Sequence, residues 1–214
     1  MKKIWALNFW SLATLTVFVL AIGHCFSARA GSLDLKSALS NSSELPSAKS
    51  VSAGNRDEVL KGWILISARK AVSALEEAIP KANTLKEKIQ KTLESLKNTN
   101  LVWPDLDSKD DPTCADEAPA WSYVISGTNK IHLCKMTFND STLDSGDVAQ
   151  ILVHEAVHLW QEDRNAPLTK DDSGLHQVDL EIECEATQVE FFTGTHSSLG
   201  IHHQTGYWKM CGIN

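Results

Sequence analysis

The sequence predicts an α+β fold of one compact domain with an N-terminal helical extension. Three observations lead there: apolar residues at helical spacing between Leu60 and Leu96, two short β-prone runs around the turn cluster Gly127-Thr128-Asn129, and two further helical stretches beyond Asp144. A chain of 214 residues allows one compact domain with a helical extension on the usual prior of about 100–200 residues per domain, and makes two large domains an unfavoured reading. Its 43% hydrophobic and 22% charged residues give the balance of an ordinary globular protein and exclude a disordered, collagenous or multi-span membrane chain.

The first thirty residues predict export. Lys2 and Lys3 precede an apolar run from Phe9 to Gly23, and Ala28-Arg29-Ala30 follows it, the three parts of a secretory signal with cleavage expected after Ala30. The expected protein is therefore secreted or periplasmic, with no stable membrane insertion once residues 1–30 are removed. Losing Lys2, Lys3 and Arg29 from 20 basic residues leaves 17 against 27 acids, a net charge of −10. No basic cluster suited to a phosphate backbone occurs, which argues against nucleic acid as a partner.

Residues 31–54 are rich in Ser and Ala with isolated apolar positions, the composition of a flexible leader or pro-segment. Residues 55–99 follow as a helical hairpin. Leu60, Ile64, Ala68, Ala71, Val72, Leu75 and Ile79 recur at three- and four-residue steps, and Leu85, Ile89, Leu93 and Leu96 do so after the break at Pro80. This pair is expected to cover one flank of a core spanning residues 100–214. That core opens with an irregular loop, Asn98 to Pro119, containing Pro104, Pro112 and Cys114. A short antiparallel hairpin is expected next, from Trp121 to Ile125 and Ile131 to Cys134. Asp144-Ser145-Gly146-Asp147 supplies N-cap candidates for a long buried helix carrying Val148, Ile151, Leu152, Val153, Val157, Leu159 and Trp160, and a second helix runs from about Gln177 to Phe192.

Cys25 lies in the signal, which leaves Cys114, Cys134, Cys184 and Cys211 for two disulfides in an oxidising compartment. Three pairings are open to four cysteines.

His154-Glu155-Ala156-Val157-His158 lies within the long helix, where four steps of 100° bring both imidazoles to one face, one turn apart. This is the zincin signature His-Glu-x-x-His. It suits one Zn²⁺ per chain, with Glu155 placed beside the open coordination position as general base. A third protein ligand is required, and Asp179-Leu180-Glu181-Ile182-Glu183-Cys184-Glu185-Ala186-Thr187 is the next acidic cluster. Glu181, Glu183 and Glu185 are all candidates, with Glu181 and Glu185 sharing a face about 160° from Glu183.

Here the sequence resembles the gluzincin group of zinc metallopeptidases, in which a glutamate on a downstream helix completes the site within Glu-x-x-Ala-Asp. Glu183-Cys184-Glu185-Ala186-Thr187 fits that frame over a region from about Val148 to Phe192. The resemblance implies a zincin-like core of small, minigluzincin type. It makes Glu183 the third ligand and puts Thr187, a hydroxyl in place of the usual carboxylate, where the family supports its first histidine. The preceding hairpin looks like the edge strand on which gluzincins bind substrate.

The resulting expectation is an exported zinc metallopeptidase that hydrolyses peptide bonds, with a peptide or protein substrate. A donor such as His or Tyr would share the charge of the tetrahedral oxygen, and His202, His203 and Tyr207 are the candidates. A bridge from Cys211 to Cys184 would hold the tail carrying them near the zinc helix and leave Cys114 with Cys134. Two other readings stand beside this one. One is a zinc amidase acting on cell-wall peptides, and the other is a non-catalytic exported binding protein whose zinc site is closed by a fourth ligand such as His176, His202 or His203.

Overall fold

The computed structural model describes residues 30–40, 56–107, 122–124, 128–161, 177–200 and 211–213. In chain order these form strand β1 (Gly31–Asp34), helices α1 (Leu35–Ser40) and α2 (Arg56–Ala78), a 3₁₀ turn (Ile79–Lys81) and helix α3 (Lys86–Lys97). Strands β2 (Asn100–Trp103), β3 (Ser122–Val124) and β4 (Lys130–Leu133) follow, and then helices α4 (Lys135–Asn139), α5 (Ser145–His158) and α6 (Gln177–Thr195). Among the described residues the fold is α+β, mostly helical, with a four-stranded sheet in the order β1-β2-β4-β3. No helix among the described residues is long and apolar enough to cross a membrane, and residues 1–29 of the expected signal lie outside them.

Helix α5 is the centre of the packing. Asp144 caps it: its carboxylate accepts from the backbone amides of Gly146 and Asp147, while Asp147 Oδ2 accepts from the Asp144 amide at 2.8 Å, a complete capping box. Every residue from Gly146 to Val157 except His154 is buried, which requires neighbours on all sides. Helices α2, α3 and α6 supply them. Ile64, Ala68, Ala71, Leu75, Ile89 and Leu96 of the helical pair share one hydrophobic core with Val148, Leu152, Val153, Ala186 and Val189. The pair thus contributes its apolar faces to the same core as α5 and α6.

The expected hairpin forms, with β3 antiparallel to β4 in the register Ser122↔Leu133, Tyr123↔His132, Val124↔Ile131. The sheet it joins is larger than expected and is mixed, since β2 runs parallel to β4 and antiparallel to β1. Asn100–Trp103 falls where an irregular loop is expected. Its alternation is only four residues long and is bounded by Asn98 and Pro104, yet Leu101 and Trp103 point inward and are buried.

Residues 31–40 also correct the reading of a flexible leader; residues 41–54 lie outside the described residues. Strand β1 pairs along the whole of β2, the Leu35 amide donates to Thr99 O at 3.1 Å, and Leu35 is fully buried. Asp34 starts α1 by accepting from the Lys36 amide and the Ser37 hydroxyl. Three leucines, Leu33, Leu35 and Leu39, reach the core, and the sheet edge provides the hydrogen bonds that composition does not count. Gly31 lies opposite Trp103 so closely that a Cβ would collide with the indole, which accounts for a glycine there.

Cys184 and Cys211 form a disulfide. Cys134 is disulfide-bonded as well, and Cys114, its expected partner, lies outside the described residues.

Two substitutions test this packing by urea or thermal denaturation. Leu35→Ala is expected to destabilise the protein by about 2–5 kcal/mol, whereas a leader without structure would show no change. Gly31→Val is expected to cost about 1–3 kcal/mol through its clash with Trp103.

Candidate metal centre

The two histidines of α5 stand one turn apart with ring centroids separated by 5.0 Å. Glu183 reaches them from α6: its Oε2 lies 3.1 Å from His154 Nε2 and its Oε1 3.4 Å from His158 Nε2. One atom from each of the three residues lies within 4.8 Å of the others, so this group could hold a metal ion. The alternatives are placed elsewhere. Glu181 is exposed, and Glu185 is engaged with Lys88 and Gln161.

Which ring nitrogen faces the centre is decided by what holds the other. Glu190 Oε2 lies 3.1 Å from His154 Nδ1. An ionised carboxylate only accepts, so Nδ1 carries the proton and Nε2 is left to face Glu183. Gln161 Oε1 does the same for His158, accepting from Nδ1 at 2.7 Å. Both imidazoles therefore aim Nε2 at one carboxylate. A lone pair facing a carboxylate is repulsive, and the arrangement is stable only with a cation between them, either a proton or a metal ion.

Electrostatics favours a proton on His154. Burial alone would push His154 down, but its hydrogen bonds to Glu183 and Glu190 and the charges of Glu190 and Glu155 outweigh burial and raise it to about 10. Burial pushes Glu183 up, yet the hydrogen bond from His154 and the positive charges of His158 and His154 hold it below the ordinary glutamate range.

Glu155, between the two histidines in sequence, is buried, and its Oε1 accepts from the Ser122 hydroxyl of β3 at 2.8 Å. That bond brings strand β3 against α5. Thr187 is buried on α6, its hydroxyl has no hydrogen-bond partner among the described residues, and it is Glu190 that meets His154 Nδ1. The sequence holds a signal for it, because a seven-residue step from Glu183 is two helical turns and returns to within about 20° of the same face. Ser122 had no such signal, its contact spanning 33 residues. His176, His202, His203 and Tyr207 lie outside the described residues; on either side of the last three, Gly200 O accepts from Gln150 Nε2 and Cys211 is bonded to Cys184.

Comparison with family models, curated proteins and solved structures finds no match to this chain.

The raised His154 predicts a pH dependence for the chelator-treated protein. A histidine elevated from 6.5 to about 10 adds stability that is complete below about pH 6.5 and is lost as pH rises toward 10. The melting temperature should fall across that window, and Glu190→Gln should flatten the slope.

Proposed function

We propose that this chain is an exported zinc metallopeptidase with a zincin-like core, similar in its site to the gluzincins. The observation that carries the reading is the pair of fixed imidazoles: Nδ1 of each is held, and both Nε2 atoms converge on Glu183. Two nitrogens and a carboxylate oxygen are the donor set of hydrolytic zinc sites, which keep a fourth position for water. Among the described residues no fourth His, Cys, Asp or Glu joins the group.

His154, His158 and Glu183 would hold the ion. When bound, zinc supplies Lewis acidity, lowering the pKa of a water and polarising a carbonyl. Glu155 acts as general base, holding the water's proton on its carboxylate and delivering it to the leaving amine, while the Ser122 hydroxyl fixes one carboxylate oxygen. Strand β3 ends the sheet order and touches Glu155 through Ser122, so an extended peptide could pair along it beside the general base. Export is supported by the signal-like first thirty residues and suits a chain with a Cys184–Cys211 bridge.

Elemental analysis of the purified protein is expected to find one zinc per chain, lost in His154→Ala. Glu155→Gln should keep the metal while turnover in a peptide-library assay falls by about 10²–10⁴-fold. Full activity in that variant would overturn the mechanism.

A further inference from the structure

We infer that Lys88, on the N-terminal helical pair, is a positioning residue for the metal centre: through Glu185 and Gln161 it fixes which nitrogen of His158 is offered to the ion. The inference rests on the metal-site reading above and extends it to a residue outside the motif.

The argument begins with the Gln161 side chain. Its amide nitrogen Nε2 donates to Ile182 O at 3.0 Å and to Glu185 Oε2 at 2.8 Å, which uses both of its protons. Oε1 must then face His158 Nδ1, 2.7 Å away. If the amide were reversed, its NH₂ group would face Nδ1 and favour a lone pair there, moving the proton to Nε2, the atom that has to ligate. One amide orientation therefore makes His158 a competent ligand and the other does not.

Reversal is opposed by acceptors alone. A turned amide would set its oxygen against Ile182 O and the Glu185 carboxylate, with no proton between them. This works only while Glu185 stays in place, and Glu185 is partly exposed, free to swing toward water. Lys88 Nζ prevents that by pairing with its other oxygen at 2.6 Å. The same helix holds the adjacent residue: Trp160 Nε1 donates to Thr92 Oγ1 at 3.0 Å, and Lys91 Nζ lies 5.6 Å from the Trp160 ring centroid. Helix α3 thus grips the turn that ends α5, immediately after His158.

The test is chelator competition with Zn²⁺ alone on the full chain. Gln161→Ala should weaken zinc binding by about 10–100-fold, the usual cost of losing a residue that orients a ligand. Lys88→Met should weaken it by about three- to tenfold, Lys88→Arg should restore it, and Lys88→Met should add nothing further in the Gln161→Ala background. Wild-type affinity in Lys88→Met, or an equal loss in both backgrounds, would overturn the relay, because a purely structural lysine would act independently of Gln161. A readout independent of the metal is the pair of ¹⁵N chemical shifts of the His158 ring in the chelated protein. It should report a proton held on Nδ1 in the wild type, whatever Nε2 carries, and partial loss of that Nδ1 proton in Lys88→Met and Glu185→Ala, and unchanged shifts would overturn the relay as well. Absence of zinc binding in the wild type would sink the metallopeptidase reading, and the tautomer shifts would still decide the relay.

Discussion

A helix buried on nearly every side is forced to carry two imidazoles and a carboxylate in five consecutive residues, and the surroundings of α5 follow from that constraint. Buried polar atoms without partners cost free energy, so each of the three residues draws in a neighbour. His154 draws Glu190, His158 draws Gln161, and Glu155 draws Ser122. Those three partners come from helix α6, from the turn after α5 and from strand β3. The need to satisfy one helix face therefore dictates which elements must stand beside it, and the capping box at Asp144 sets where that face begins.

The negative groups around His154 illustrate how such a site is balanced. Glu183, Glu190 and Glu155 all act on one imidazole and favour its protonated form. A metal ion would have to displace that proton, so binding should release it and strengthen with rising pH until other groups intervene. The proton-held form keeps the carboxylates from repelling one another and keeps the ligand geometry close to assembled. The cost of assembling the site is thus met largely within the fold itself.

What the sequence disclosed is what local spacing encodes. The one-turn separation of His154 and His158, the cap at Asp144, the hairpin and the helical pair all depend on residues near one another in the chain. Glu183 was distinguishable from Glu181 and Glu185 only through its resemblance to a family motif, and the structure brings it, and not its neighbours, to the histidines. That frame misdirected the search for the group behind His154, placing Thr187 where Glu190 does the work three residues later. Strands β1 and β2 escaped notice for another reason. Each is four residues long, and what makes them strands is the partner edge, found about 70 residues away along the chain. Ser122 and Lys88 were equally hidden, because their roles exist only once distant segments meet.

The bridge from Cys184 to Cys211 bears on which donors stand beside the candidate metal group. A thiolate is a softer donor than a carboxylate and competes strongly for zinc and copper(I), and Cys184 is the residue next to Glu183. Sulfur locked in a disulfide forms no thiolate. Oxidation thus takes the sulfur beside the glutamate out of metal chemistry, and the group that could hold an ion is left with nitrogen and oxygen donors alone.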